Sequence, residues 1–192
     1  MRSYILFLLI VLSYLEVLNG QSYPMPENMP VHTKIFWGEN GLFRKLNIAP
    51  KSRSSELRLR VKMLQLHQKI ALGTLGLFSY QSYLGNQMIK GDYSNRSMHS
   101  ILSKYVWSMY MSSAAFSYFA PPAMKYNKSY DSMKIHRMLS WVHFSGMAII
   151  PYLGYKIHQT DDYNAAVKTH QVIALSTLGT MILSALLSFL PY

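Results

Sequence analysis

Four histidines share one local frame. His67 is followed at the third and fourth positions by Ile70 and Ala71, His99 by Leu102 and Ser103, His136 by Leu139 and Ser140, and His170 by Ile173 and Ala174. The ninth residue after each is small (Gly76, Ser108, Ser145, Gly179), and the eleventh is large (Phe78, Tyr110, Met147, Met181). On a helix, the third, fourth, seventh and eleventh positions lie near the face of the histidine. A small residue one turn on leaves room beside the imidazole for something flat and bulky. The ninth position falls on the opposite face, where Gly or Ser is expected to let neighbouring helices approach closely.

The elements that carry this frame follow from the distribution of charge. Half of the 192 residues are hydrophobic and only 14% are charged, against roughly 25% in an ordinary soluble domain. The net charge is +11, yet it is uneven: eight Lys/Arg lie between Lys34 and Lys62. Beyond Lys69, runs free of Asp, Glu, Lys and Arg cover residues 70–89, 105–124, 138–155 and 169–192. Each is about long enough for a helix to cross a bilayer core of roughly 30 Å. The expected fold is all-α, a four-helix up-down transmembrane bundle over residues 54–192. The basic residues then read as membrane-flanking charge that attracts anionic lipid, and nucleic acid is not expected as a partner.

Helix boundaries follow from local signals. The first long helix should start near Ser54 or Ser55 with Glu56 in its first turn, and Gly85 should stop it. The second should span 97–119, ending before Pro121 and Pro122. The third should run from Asp131 or Ser132 to about His158, with a kink at Pro151. The fourth should run from Asp161 or Asp162 to about Leu190. Short connections make successive helices antiparallel neighbours.

Antiparallel order sorts the histidines. His67 and His136 fall at one membrane level, His99 and His170 at the other. Two facing imidazoles at each level could axially ligate two b-type haems, because neutral imidazole suits iron. Two protein ligands per iron favour electron transfer over oxygen chemistry. Ionisable residues inside a membrane are costly and usually functional. Lys69 and Arg137 flank the first pair and Lys104 and Lys168 the second, as candidate partners for haem propionates. His158 is the alternative to His99, which precedes its charge-free run. His143 lies seven residues after His136 on the same face and is expected to bond a neighbouring helix. Tyr80, Gln81, Tyr83, Trp107 and Tyr110 could line a quinone or reductant pocket, although aromatic packing accounts for them too.

The N-terminal part reads differently. Residues 1–20 have the form of a secretory signal peptide, with Arg2, an apolar stretch over 4–15, and Asn19-Gly20 near a cleavage point. Residues 21–53 hold Pro24, Pro26, Pro30, Pro50, Gly38 and Gly41 and are expected to be irregular. Trp37 is expected to anchor this segment at the membrane surface. No cysteine is present, which excludes disulfides, thiolate metal sites and covalent c-type haem attachment.

With the four histidines placed, residues 60–190 resemble the cytochrome b561 family, including the His136-Arg137 pair that opens the third helix. The resemblance implies a four-helix core with His67, His99, His136 and His170 binding one haem on each membrane side. It implies a membrane electron-transfer oxidoreductase, often moving electrons from ascorbate or a quinol to an acceptor on the other side. The expected location is a bacterial cytoplasmic membrane or a eukaryotic secretory-pathway membrane, as a multi-pass protein. The alternative is a non-enzymatic multi-pass module whose histidines serve helix packing and whose basic segment binds a partner or anionic lipid. A transporter or metal site is a weaker third reading, since no carboxylate lies inside the charge-free runs. No hydrolase constellation is visible.

Overall fold

The computed structural model describes residues 24–126 and 131–190. The expected signal peptide therefore lies outside the described residues. Among those residues the structure is all-helical. Two short helices, α1 (Val31–Trp37) and α2 (Leu42–Lys45), precede four long ones: α3 (Arg53–Ile89), α4 (Arg96–Tyr118), α5 (Ser132–Lys156) and α6 (Tyr163–Leu187). A 3-10 turn over Ile157–Gln159 follows α5.

The described residues divide into two compact units, 24–64 with 119–126 and 65–118 with 131–190. In the first unit the segment expected to be irregular forms α1 directly after Pro30 and α2 directly after Gly41. Proline tolerates the start of a helix because its missing N–H would have no intrahelical partner there. Trp37 is buried, not exposed to an interface as the sequence reading expected. It is 4% exposed, packs edge-on against Phe43, and donates from Nε1 to the Phe119 carbonyl at 3.1 Å. Phe36 also packs edge-on against Phe119. Behind this aromatic group lies a charged lock. Glu56 is fully buried between Arg44 and Arg53, and Arg53 also donates to the Pro122 and Ala123 carbonyls at 2.9 and 2.8 Å. A buried carboxylate is tolerable only with such pairing.

In the second unit, all four long helices contribute to one core of Phe78, Val106, Tyr110, Met147, Ile150 and Met181. Cross-contacts set the direction of each neighbouring pair. His67 meets Ser113 while Gly85 meets His99, so α3 and α4 are antiparallel. Arg96 meets His158 while Tyr118 meets Trp141, so α4 and α5 are antiparallel. His136 meets Ser184 while Gly154 meets His170, so α5 and α6 are antiparallel. Between those points, a Cβ on Gly146 would lie 1.9 Å from Thr177 Oγ1, so only glycine allows this approach of α5 to α6.

Local signals explain the ends. Asp131 and Asp162 accept from the backbone N–H of Lys134 and Ala165, capping α5 and α6. Gly85 does not end α3 as expected. The helix continues to Ile89, and the turn falls at Gly91 with φ +94°, where glycine avoids the left-handed penalty. Pro151 lies within α5, which continues past it to Lys156.

The all-helical expectation holds among the described residues, while spanning length and apolarity together are met by fewer helices than expected. One helix among the described residues, Tyr163–Leu187, is long and apolar enough to cross a membrane. The other charge-free runs hold many Ser, Tyr, Gln and His. These residues carry no formal charge but lower the average apolarity.

Candidate functional site

The frame that repeats after each histidine defines the inner face of the second unit. The seventh residues include buried Thr74, Val106 and Thr177, with His143 half-buried. The eleventh residues, Phe78, Tyr110, Met147 and Met181, are all core. The fourteenth, Gln81, Ser113, Ile150 and Ser184, are buried as well. Each heptad therefore returns to the interior. The ninth residues do not help helices approach, contrary to the sequence expectation. Gly76, Ser108 and Ser145 are exposed, and a Cβ on Gly76 or Gly179 would meet nothing within 4 Å. Position nine points away from neighbours because it lies opposite a fully inward histidine face.

The four histidines are half-buried and inward. The contacts of the antiparallel helices put His67 and His136 at one end of the second unit and His99 and His170 at the other.

Each imidazole meets the backbone of the adjacent helix through Nδ1. His67 Nδ1 lies 2.9 Å from both the carbonyl and the Oγ of Ser113. Ser113 Oγ in turn donates to the His67 carbonyl at 3.0 Å. His136 repeats the arrangement with Ser184, at 2.8 Å to the carbonyl and 2.9 Å to Oγ. His99 Nδ1 lies 3.0 Å from the Gln81 carbonyl. His170 Nδ1 is enclosed and faces the Ile150 carbonyl. A carbonyl can only accept, so Nδ1 of His67, His99 and His136 carries the hydrogen. Nε2 of each is then left with its lone pair, the tautomer used by metal-ligating histidine whose other nitrogen is held by a carbonyl.

Two glycines complete this packing. A Cβ on Gly85 would stand 3.0 Å from His99 Cε1, and one on Gly154 would stand 3.3 Å from His170 Cε1. Gly85 and Gly154 are four residues beyond Gln81 and Ile150, so each clears space beside the imidazole one turn on.

Other expected residues fall into place or fall away. His158 is exposed and bonds Arg96 at 3.0 Å, so His99 is the residue set against His170. His143 bonds the Tyr110 hydroxyl of the neighbouring helix at 2.6 Å and lies within electrostatic reach of His67 and His136. Lys69, Arg137, Lys104 and Lys168 are exposed, and none is bonded to an imidazole. Tyr80, Tyr83 and Trp107 are exposed while Gln81 and Tyr110 are buried. They point in opposing directions and do not line a common pocket. Among the described residues there is no group of three or more His, Asp or Glu able to hold a metal ion. Any metal here would have to bring its remaining ligands with it, as a porphyrin-bound iron does.

Sequence reasoning missed Ser113, Ser184, Gln81, Gly85 and Gly154. Extending the frame from the eleventh position to the fourteenth and eighteenth would have reached all five. No family model, no curated protein and no solved structure matches this chain.

Proposed function

We propose that this protein is a membrane b-type cytochrome. His67 with His136 would hold one haem and His99 with His170 a second. The observation that carries this reading is the pairing of four inward imidazoles at two levels, three of them fixed through Nδ1 with Nε2 left as donor. That tautomer leaves the Nε2 lone pair available to iron at both ends of the bundle. Bound there, such a group would supply reversible one-electron chemistry at iron. The residues of the chain do the rest. Ser113, Ser184 and the Gln81 carbonyl hold imidazoles in orientation, and Gly85 and Gly154 clear the space beside His99 and His170. Two histidines per iron leave no open coordination position, which favours electron transfer.

The membrane part of the proposal rests on an inverted distribution of polarity. Ile149, Trp141, Val142, Val172 and Leu183 are exposed on the outside of the helices, while Thr74, Gln81, Ser113, Thr177 and Ser184 are buried inside. Water would select the reverse arrangement, and lipid permits this one. The resemblance to the cytochrome b561 family points the same way, with a quinol or a small reductant such as ascorbate as donor.

The test is a reduced-minus-oxidised absorption spectrum of the detergent-purified protein, with haem quantified per chain. Nearly two low-spin b-type haems per chain is the expected result. No haem in cells supplied with ample haem would sink the proposal. It would favour the second reading, a membrane module in which the imidazole–carbonyl bonds serve only to join helices.

A further inference from the structure

The two histidine pairs are not equivalent. His67 and His136 each have two acceptors at Nδ1, the carbonyl and the hydroxyl of one serine. At the other end His99 Nδ1 meets the Gln81 carbonyl and His170 Nδ1 faces the Ile150 carbonyl, with no hydroxyl at either. A bond from Nδ1–H to a strong acceptor makes the imidazole a more basic ligand. A more basic axial ligand favours ferric over ferrous iron, so second-shell hydrogen bonding is a lever on potential.

Resting on the two-haem reading above, we propose that Ser113 and Ser184 make the two haem sites unequal. They would lower the potential of an iron held by His67 and His136 below that of one held by His99 and His170. Haem bound at these sites would supply one-electron chemistry, and the part played by this chain is to hold the imidazoles that tune it. Ser113 and Ser184 are positioning residues, because they act through the imidazoles.

Charge is a competing cause of inequality. Lys69 and Arg137 flank the first pair and Lys104 and Lys168 the second, all four exposed. Lys62 and Lys134 also stand near the first end, and Lys90, Arg96 and Lys156 with Asp92, Asp161 and Asp162 near the second. The serine variants leave every charge in place and so isolate the hydrogen-bond contribution. His143 reaches His67 and His136, and a proton on it would raise the potential there. The titration is therefore run well above the ordinary imidazole range of about 6.5.

The experiment is a spectroscopic redox titration of the haem-loaded full chain in detergent, with haem quantified for every variant. Two midpoints are expected. His136→Ala should abolish the lower one and His170→Ala the higher one. Ser113→Ala and Ser184→Ala should each raise the lower midpoint and leave the higher one in place, and Ser113→Thr, which keeps the hydroxyl, should restore it. A lower midpoint that disappears with His170→Ala would overturn the inference. So would serine variants that leave both midpoints unmoved, or alanine variants that lose haem, which would make the serines structural. Absence of any haem in the unaltered chain would instead overturn the cytochrome reading itself, so the two failures are distinguishable.

Discussion

At the scale of single residues, variants of His67, His99, His136 and His170 test the proposed ligand roles against packing roles. Replacing His67 or His136 by Ala is expected to remove one haem per chain, and His170→Ala the other, read as haem content and difference spectrum. Loss of both haems in every single variant would indicate collapse of the bundle. Gly85→Val gives a finer test. Its side chain would press on His99, whose Cε1 is only 3.0 Å from a Cβ at that position. Haem at the His99–His170 end should be lost or weakened while the other end keeps its spectrum. Gly146→Val is expected to destabilise by about 1–3 kcal/mol through overpacking, because Thr177 Oγ1 occupies the space. Thr177→Ala should recover part of that loss in thermal unfolding.

At the scale of elements, the first unit depends on one buried carboxylate. Glu56→Gln keeps the shape but leaves Arg53, which is almost fully buried, without its counter-ion. Removing one partner of a buried pair costs about 3–5 kcal/mol. The expected outcome is a large drop in melting temperature and faster proteolysis within residues 31–64. An unchanged melt would show that the Pro122 and Ala123 carbonyls alone satisfy Arg53. The helix starts are worth less. Asp162→Ala removes the acceptor for the Ala165 N–H at 3.0 Å and should cost about 1 kcal/mol, a typical N-cap value.

At the scale of the whole molecule, the question is which solvent faces the exposed apolar side chains. Val142 is 56% and Leu183 54% exposed. An aspartate at the middle of a spanning helix costs about 2.5–3.5 kcal/mol. Val142→Asp and Leu183→Asp are therefore expected to reduce the fraction of protein that stays with membranes after alkaline carbonate extraction. Val142 is the sharper probe, because α5 does not pass the hydropathy criterion that α6 passes. Full release of the unaltered chain by carbonate would show that the outer surface faces water.

The order of four long helices, their aspartate caps and the repeated histidine frame were all legible in the sequence, because they depend on local periodicity and on residues a few positions apart. Antiparallel order also sufficed to sort His67 with His136 and His99 with His170. Trp37 was misread, since an aromatic side chain suits an interface and a core equally until Phe36, Phe43 and Phe119 are seen around it. Gly85 was misread as a helix stop, because glycine's small size serves a close approach as well as a turn. The four spans were read from absence of charge, a criterion that ignores what Ser, Gln and Tyr do to apolarity. The acceptors at Nδ1 come from neighbouring helices, at Ser113, Gln81 and Ser184, 46, 18 and 48 residues from their histidines. Their partners depend on axial register, which is set by core packing and by contacts such as Gly146 against Thr177. Sequence therefore determined which residues could act and at which level they stand. Tertiary structure decided what holds each imidazole and why the two ends differ, because those depend on ångström-scale placement of one helix against the next.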